Sequence, residues 1–302
     1  MERPYILHMF TPGRQMSPFD INMAADAGYQ IIVPYCDVGL EGIAAFTQDT
    51  IFSRGPKGAK RTGIFIGGRD PLLAADMLER SRASMVEPFM VSLLADPSGS
   101  YTTAAALIAC VEASLRRHHG HGLEGQRIVI VGGTGPVGRV AGVIAASAGA
   151  EVLLSSRSGI DAAEAAARAT GRRFGVSLRG LAGSDASALG AALAETDVLL
   201  ACAAAGMQVV TSETLRSAKR LKVAADINAV PPEGIAGVGV MDDSKPLPGT
   251  PAVGIGALSV GNVKYQTQHR LLVQMQQAEK AVTASFPEAF ALARTVLAEA
   301  KA

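Results

Sequence analysis

The chain of 302 residues is 48% hydrophobic and 18% charged, with a formal net charge of +1. Its length allows two domains with separate cores, and its near-neutral charge gives no basis for a nucleic-acid partner. No apolar run is long enough to cross a membrane and no signal peptide opens the chain, so we expect a cytoplasmic protein without a membrane partner. The three scattered cysteines, with no C-x-x-C pair, are typical of reduced core residues in that compartment.

Strand-like and helix-like segments alternate over the first hundred residues. Such alternation indicates a parallel sheet covered by helices on both faces. We therefore expect residues 1–104 to form an N-terminal α/β substrate domain, followed by a helix over Ala104–Arg117. The predicted strands are Tyr5–Phe10, Tyr29–Tyr35, Gly63–Ile66 and Phe89–Ala95, and the predicted helices are Phe19–Ala27, Gly42–Thr50 and Pro71–Ala83.

The segment 128–138, IVIVGGTGPVG, contains a G-x-G-x-x-G motif at Gly133, Gly135 and Gly138. A β-branched strand precedes it and an amphipathic run follows, which is the setting of a dinucleotide-binding turn. The first glycine would allow the sharp turn, the second the approach of a pyrophosphate, and the third close packing of helix on strand. The residues predicted to bind the cofactor here are Gly133, Thr134, Gly135, Pro136, Val137 and Gly138.

The segment 105–268 is predicted to be a Rossmann-type domain, a doubly wound parallel sheet. We expect the C-terminal helical segment 269–302, with Pro287 as a break or a new start, to pack back on the first domain. The predicted strands of the second domain are Arg127–Val131, Glu151–Ser155, Arg173–Val176, Asp197–Cys202, Val223–Asp226 and Gly254–Ile255.

The residues after the second Rossmann strand favour NADP. A site for NAD usually has an acidic residue there to hold the ribose hydroxyl, whereas this strand ends in Ser156 and Arg157. A guanidinium forks onto phosphate oxygens, so both residues are predicted to bind a 2′-phosphate; otherwise Arg157 is a solvated loop charge. With no carboxylate to repel NADP or grip NAD, NAD also stays a candidate.

In doubly wound sheets ligands lie beyond the carboxyl ends of the strands. Ala203 and Ala204 would let a flat nicotinamide ring approach after one strand, and Asn228 follows the next. Lys264 is an isolated cation beside glycines, and we expect it at the site. Asp96 suits either a turn or a substrate contact.

Two charged clusters each have a structural and a functional interpretation. The basic loop Arg54, Lys57, Lys60 and Arg61 is either solvated surface or a holder of an anionic substrate tail. The histidines at 118, 119 and 121 lie in a glycine-rich connector without further ligands nearby, so we predict no metal site.

The sequence has no G-x-S-x-G, Y-x-x-x-K or H-E-x-x-H motif. Hydride transfer from a carbon activated by neighbouring nitrogens needs no acid–base pair, because positioning can supply most of the catalysis.

An ordered set of segments spans nearly the whole chain and resembles the methylenetetrahydromethanopterin/methylenetetrahydrofolate dehydrogenases of methylotrophic bacteria. Residues 1–10 are most similar to the type B enzymes, which favour the methanopterin. The resemblance implies oxidation of methylene-tetrahydromethanopterin to the methenyl form in one-carbon (formaldehyde) metabolism, with a hydride passing to NADP or NAD. It also implies a pterin cleft between two domains and a homo-oligomer, a trimer or hexamer. The segments are Phe19–Asp20, Phe65–Gly68, Asp96–Ala106, Gly133–Gly138, Ala225–Ile235 and Gly256–Lys264.

The resemblance also assigns residues to the substrate side. Lys264 is expected to be catalytic. Tyr101 and the loop Gly39–Gly42 depart from the pattern of the related type A enzymes, the methylenetetrahydromethanopterin/methylenetetrahydrofolate dehydrogenases. This departure argues against tetrahydrofolate as a substrate. The Tyr/Lys pair of the similar folate cyclohydrolases is absent, so we predict no hydrolysis of the methenyl group. The substrate-binding residues implied are Phe19, Asp20, Asp96, Ser98, Ser100, Tyr101 and Thr102.

Two other interpretations stay open. A shikimate- or amino-acid-type NADP dehydrogenase would need a Lys/Asp pair in the first domain, from Lys57 or Lys60 with Asp70 or Asp96. A non-catalytic NADP sensor would bind the dinucleotide and regulate a partner without turnover.

Overall fold

The computed structural model describes residues 3–300. Within this range the chain forms two parallel-stranded sheets with helices between the strands, so the predicted α/β class is confirmed. The strands are β1 Ile6–Phe10, β2 Ile31–Tyr35, β3 Thr62–Ile66, β4 Ser92–Ala95, β5 Arg127–Val131, β6 Glu151–Ser156, β7 Arg179–Ala182, β8 Val198–Ala201, β9 Val223–Asp226, β10 Asp243–Pro246, β11 Val253–Ile255 and β12 Thr283–Ala284. The helices are α1 Pro18–Asp26, α2 Ile43–Phe52, α3 Gly55–Ala59, α4 Pro71–Ala83, α5 Ser100–His119, α6 Pro136–Ser147, α7 Ile160–Phe174, α8 Ala186–Ala194, α9 Ser212–Leu215, α10 Ala257–Gln277 and α11 Phe286–Glu299.

The chain divides into two compact units. The first takes the described chain up to Thr102 together with Tyr265–Ala289, and the second takes Thr103–Lys264 and the chain from Phe290 onward. The first unit contains a parallel sheet in the order β12-β4-β3-β1-β2. Every residue of β3 is buried, as expected for a central strand covered on both faces. Pro34 is tolerated because β2 is an edge strand.

The second unit contains a sheet in the order β10-β11-β9-β8-β5-β6-β7. All neighbouring strands are parallel except β10, which runs antiparallel to β11. The strands β5, β8 and β9 lie in the middle and are almost entirely buried. The order reverses at β5, which carries the glycine motif at its carboxyl end, and this is the position where doubly wound sheets bind ligands.

The strand predicted at Arg173–Val176 is wrong. Helix α7 continues to Phe174 and ends at Gly175, which is left-handed with φ of 70°, a common way to end a helix. The strand follows later, at β7. The strands β10 and β12 and the short helix α3 were not predicted, because they are too short for a periodic pattern.

Within the predicted C-terminal segment, the described residues up to Ala289 belong to the first unit and those from Phe290 to the second. Part of the reason lies in α11, where Arg294 donates to the buried Glu112 of α5 at 2.6 and 2.9 Å. Pro287 lies in the first turn of α11, so it marks a new start rather than a break.

Among the residues described, we find no helix with both the length and the apolar character that crossing a membrane requires.

Candidate functional site

The turn after β5 is built around three positions where a side chain does not fit. Gly132 has φ of +72°, and a Cβ placed there would lie 2.6 Å from the backbone N of Ala203. The left-handed position is therefore Gly132, one residue before Gly133, to which we assigned the sharp turn. A Cβ on Gly133 would lie 2.8 Å from the Cα of Leu154 in β6, so Gly133 permits close packing of the turn on the next strand.

Helix α6 begins directly on this turn. A Cβ on Gly138 would lie 2.7 Å from the Cα of Gly133, so this glycine lets the helix pack closely on the turn. Gly135 is the N-cap and no side chain caps the first turn. The amide groups of Val137 and Gly138 in that turn are therefore available to an anion.

The end of β6 carries the predicted phosphate-binding residues. Arg157 is exposed, with one guanidinium nitrogen 3.6 Å from the Sδ of Met207. Ser156 is buried, and its hydroxyl accepts a hydrogen bond from the Ser158 amide at 3.1 Å, so it shapes the loop. Glu151 lies at the opposite end of β6, where it pairs with Arg179 at 3.0 Å. No carboxylate of this strand can therefore hold a ribose hydroxyl.

Asn228 holds the loop after β8 in place. Its Oδ1 accepts hydrogen bonds from the amides of Gly206 at 3.0 Å and Val230 at 2.9 Å, while its Nδ2 donates to the carbonyl of Pro232 at 2.8 Å. Through these contacts the Asn228 side chain holds the segment that contains Ala203 and Ala204 in place. The structure thus gives Asn228 a positioning role, and its direct contact with the cofactor stays a prediction.

Asp226, at the end of β9, is buried and accepts three backbone hydrogen bonds. They come from Asn228 at 2.9 Å, Gly234 at 2.6 Å and Ile235 at 3.1 Å. Burial raises the pKa of the Asp226 carboxyl, although these amides act in the opposite direction. Burial, together with the Asp226 charge, also raises the pKa of the Cys202 thiol to about 12. Cys202 therefore stays a thiol at neutral pH and is a poor nucleophile.

A cavity of about 490 Å³ lies in the first unit at the carboxyl ends of β1, β3 and β4. Its size is within the range of small-molecule sites. Among the predicted substrate residues, Asp20 and Ser98 line it. The lining residues are Thr11, Pro12, Gly13, Arg14, Gln15, Met16, Ser17, Asp20, Gly68, Arg69, Asp70 and Ser98.

Asp20 is the buried carboxylate of this cavity. It lies in the first turn of α1, and its Oδ1 accepts a hydrogen bond from Nε2 of Gln268 at 2.7 Å. Phe19, its neighbour, is 47% exposed, so its ring is accessible for a stacking contact. Ser98 is in the left-handed region with φ of 51°, and its hydroxyl donates to the carbonyl of Gly68 at 2.7 Å.

The other predicted residues after β4 hold the start of α5. Asp96 is fully buried, and its carboxylate accepts from the amides of Tyr101 and Thr102 at 2.9 and 3.1 Å and from the Thr102 hydroxyl at 2.6 Å. The Tyr101 hydroxyl donates to the carbonyl of Pro71 at 2.6 Å, and its ring packs edge-on against Phe286. Ser100 is buried beside them. These contacts favour a structural role for the segment.

Lys264 lies within α10, since the helix begins at Ala257. It is half-buried. Gln268, which binds Asp20, is one helical turn further along the same face.

The basic loop lies at the opposite end of the first sheet from the cavity that Asp20 and Ser98 line. Lys57, Lys60 and Arg61 line a second cavity with Tyr5, beside the start of β1 and β3. The five residues of β3 separate them from the cavity at the carboxyl ends of β1, β3 and β4. At the usual rise of a strand this separation is about 17 Å. The same separation prevents the Lys/Asp pair with Asp70 or Asp96 that a shikimate-type mechanism would need.

Sequence reasoning missed Arg14 and Arg69, which line the substrate-sized cavity. The available signal was their position, because each lies in the loop that follows a strand ending at this edge. Single arginines in loops are common, so the residue type alone did not indicate that these two line a cavity.

The histidines of the connector carry no metal-site geometry. The rings of His119 and His121 stack at 6.0 Å, and His121 Nε2 lies 3.5 Å from the Lys222 ammonium, where a metal cation would be repelled. Across the described residues, His, Cys, Asp and Glu form no group of three or more that could hold a metal ion.

Comparison with known proteins identifies close sequence relatives. Residues 18–98 match the family model described as Methylene-tetrahydromethanopterin dehydrogenase, N-terminal. The chain is 46% identical over 288 residues to the NAD(P)-dependent methylenetetrahydromethanopterin dehydrogenase of Methylorubrum extorquens, which covers 95% of this chain and 97% of that protein. It is 30% identical over 277 residues to Bifunctional protein MdtA of the same organism, which covers 92% and 94%.

Among solved structures, shikimate 5-dehydrogenase from Listeria monocytogenes covers 97% of this chain and 96% of its own, with 14% identity and a TM-score of 0.48. A similarity at this level supports no assignment. From the 46% identity over 95% of its length to the relative named for this activity, the chain belongs to the methylenetetrahydromethanopterin dehydrogenase family.

Proposed function

We propose that this protein is an NAD(P)-dependent dehydrogenase that oxidises methylenetetrahydromethanopterin to its methenyl form in formaldehyde one-carbon metabolism. The observation that carries the proposal is the 46% identity, over 95% of the chain, to a relative named for that activity. The methylene carbon loses a hydride, that is one hydrogen with two electrons, and the adjacent nitrogens share the resulting positive charge. No side chain has to move a proton, so orientation is the main task of the protein.

The second unit fits a nicotinamide dinucleotide, which when bound supplies the hydride acceptor. The supporting observation is the turn over 132–138, where a Cβ on Gly132, Gly133 or Gly138 would meet backbone atoms within 3.0 Å. We assign the backbone from Gly133 to Gly138 to the pyrophosphate. Ala203 and Ala204 face the nicotinamide, and Asn228 orients their loop.

NADP is the preferred dinucleotide in this proposal. The exposed guanidinium of Arg157 holds the 2′-phosphate, and Ser156 keeps the loop around it in shape. NAD is a second acceptor, because no carboxylate at the end of β6 selects for it or against NADP.

The pterin binds on the side of the first unit. The cavity after β1, β3 and β4 takes it, with Asp20 and Ser98 on its wall and Phe19 beside it. Asp96, Ser100, Tyr101 and Thr102 support that wall through the start of α5. Lys264 orients the substrate for hydride transfer.

We further propose a homo-oligomer, a trimer or hexamer, in the cytoplasm. Light scattering after size-exclusion chromatography measures the mass directly. A mass equal to the 31.1 kDa of a single chain would reject the oligomer.

The decisive experiment is a direct assay. Purified protein is mixed with methylenetetrahydromethanopterin and NADP or NAD, and the absorbance of the reduced nicotinamide is followed. We expect an increase with NADP, a slower one with NAD, and none with shikimate. Binding of NADP without an increase on any substrate would instead support a non-catalytic sensor and reject the proposed activity.

A further inference from the structure

Two arginines from neighbouring loops line the cavity of the first unit. Arg14 lies in the loop after β1 and Arg69 in the loop after β3. The two strands pair directly, with Phe10 opposite Ile66 at their carboxyl ends, so their loops leave the sheet side by side. Both arginine side chains are exposed at the rim of the cavity.

Among the residues that the structure describes, neither the Arg14 nor the Arg69 guanidinium forms a hydrogen bond or an ion pair. The two acidic residues of the lining have other donors: Asp70 caps α4 by accepting from the Leu72 amide at 2.9 Å, and Asp20 accepts from Gln268 at 2.7 Å. Two positive charges are thus left available to a ligand.

The backbone that carries these arginines is held by several contacts. The Ser98 hydroxyl donates to the carbonyl of Gly68, next to Arg69, at 2.7 Å. The Gly13 amide, next to Arg14, donates to the Thr11 hydroxyl at 3.1 Å, and the Gly13 carbonyl accepts from Asp37 at 3.0 Å. Pre-organised loops lose less freedom when a ligand binds.

We propose that Arg14 and Arg69 form an anion subsite, which binds a phosphate or carboxylate group that the substrate carries away from its reacting carbon. Guanidinium groups bind both anions through paired hydrogen bonds. The assignment of the anion to the substrate rests on the proposed function, whereas the affinity of the two arginines for an anion does not. The basic loop at the other end of the sheet cannot serve this purpose, because β3 separates it from the cavity.

The kinetic test uses Arg14→Gln, Arg69→Gln and the double variant, with Arg82→Gln as the control. Arg82 is an exposed arginine in the last turn of α4, whereas Arg69 lies just before the first turn of that helix. Each single variant should raise the KM for the pterin about tenfold, the effect of one lost charge-assisted contact, without changing kcat or the KM for NADP. Added salt should weaken substrate binding in the wild type and less so in the double variant. Unchanged KM values for the pterin would overturn the proposal.

A binding test separates this proposal from the proposed function. Inorganic phosphate is titrated into the wild type and the double variant by calorimetry, and is also tested as an inhibitor. We expect binding that is lost in the double variant and inhibition that is competitive with the pterin. The same arginine-dependent binding in a protein without dehydrogenase activity would support the subsite and reject the proposed function. Competition with NADP alone, or binding without any competition, would overturn the assignment to substrate.

Discussion

In the second unit, the loop after β5 and the start of α6 leave no space for side chains at Gly132, Gly133 or Gly138. In the first unit, by contrast, the loops after β1 and β3 carry long charged side chains at the rim of a cavity. Both edges lie at the carboxyl ends of parallel strands. One is shaped by backbone and presents amide groups, and the other is shaped by side chains such as Arg14. An edge shaped by backbone requires glycine at fixed positions, because no other residue fits there. An edge shaped by side chains depends on which loops the sheet brings next to each other.

The backbone part of this comparison predicts the largest single effect, at Gly133. The change Gly133→Ala places a Cβ 2.7 Å from the carbonyl of Ile130 and 2.8 Å from the Cα of Leu154. Because neither backbone atom can move cheaply, we expect the free energy of unfolding to fall by about 3 kcal/mol. NADPH binding should weaken at least about a hundredfold, through displacement of the turn. Chemical denaturation and NADPH fluorescence titration measure the two effects.

Gly190→Ala is the matched control. Gly190 lies inside α8 and a Cβ there would meet nothing within 4 Å. Alanine should stabilise that helix by about 0.5–1 kcal/mol and leave NADPH binding unchanged. Equal behaviour of the two alanine variants would show that the turn tolerates side chains, and the contrast between the two edges would fail.

The next largest effect is expected at Lys264, a side chain of α10 that we propose orients the substrate. We expect Lys264→Ala to lower kcat about tenfold to a hundredfold, because the substrate loses an orienting contact. The Kd for NADPH should change little, since the turn after β5 is intact. The control is Lys280→Ala, an exposed lysine after the end of α10. A normal turnover in Lys264→Ala would remove this lysine from the site.

The two edges also differ in how far the sequence predicts them. Helix α4 and strands β5 and β9 have the predicted bounds. For α4 and β5 the signal is local, an N-cap followed by proline in the helix and a buried β-branched run in the strand. The glycine turn was found for the same reason, although the left-handed residue is Gly132. The pairing of Arg14 with Arg69 depends on the order of strands in the sheet, which no local pattern contains.

Asp96 shows a second reason why sequence reasoning stops short of the site. Its position after a buried strand suits a substrate contact and a turn equally. Only the observed bonds to Tyr101 and Thr102 favour a structural role for the carboxylate. The sequence could therefore place this carboxylate at the correct edge without indicating which partner it serves.

Arg157 tests whether the backbone-built edge also relies on a side chain. We expect Arg157→Ala to raise the KM for NADP about thirtyfold, because the 2′-phosphate loses a forked guanidinium. The KM for NAD should change less than about twofold, since NAD has no such phosphate. The control is Arg172→Ala, an exposed arginine in the last turn of α7. Equal changes for both dinucleotides would reject the phosphate assignment.

Substitution of Asn228 has the smallest predicted effect. It distinguishes a residue that positions a loop from one that contacts the dinucleotide directly. Asn228→Ala removes the acceptor for the Gly206 and Val230 amides, whereas Asn228→Asp keeps it and loses only the donor to Pro232. If Asn228 acts through the loop, the rate of hydride transfer should fall about fivefold in the alanine variant and less in the aspartate variant. The Kd for NADPH should hardly change in either. A direct contact would instead weaken NADPH binding in both variants, with the aspartate worse because its charge faces the dinucleotide. Single-turnover rates and fluorescence titration distinguish these patterns.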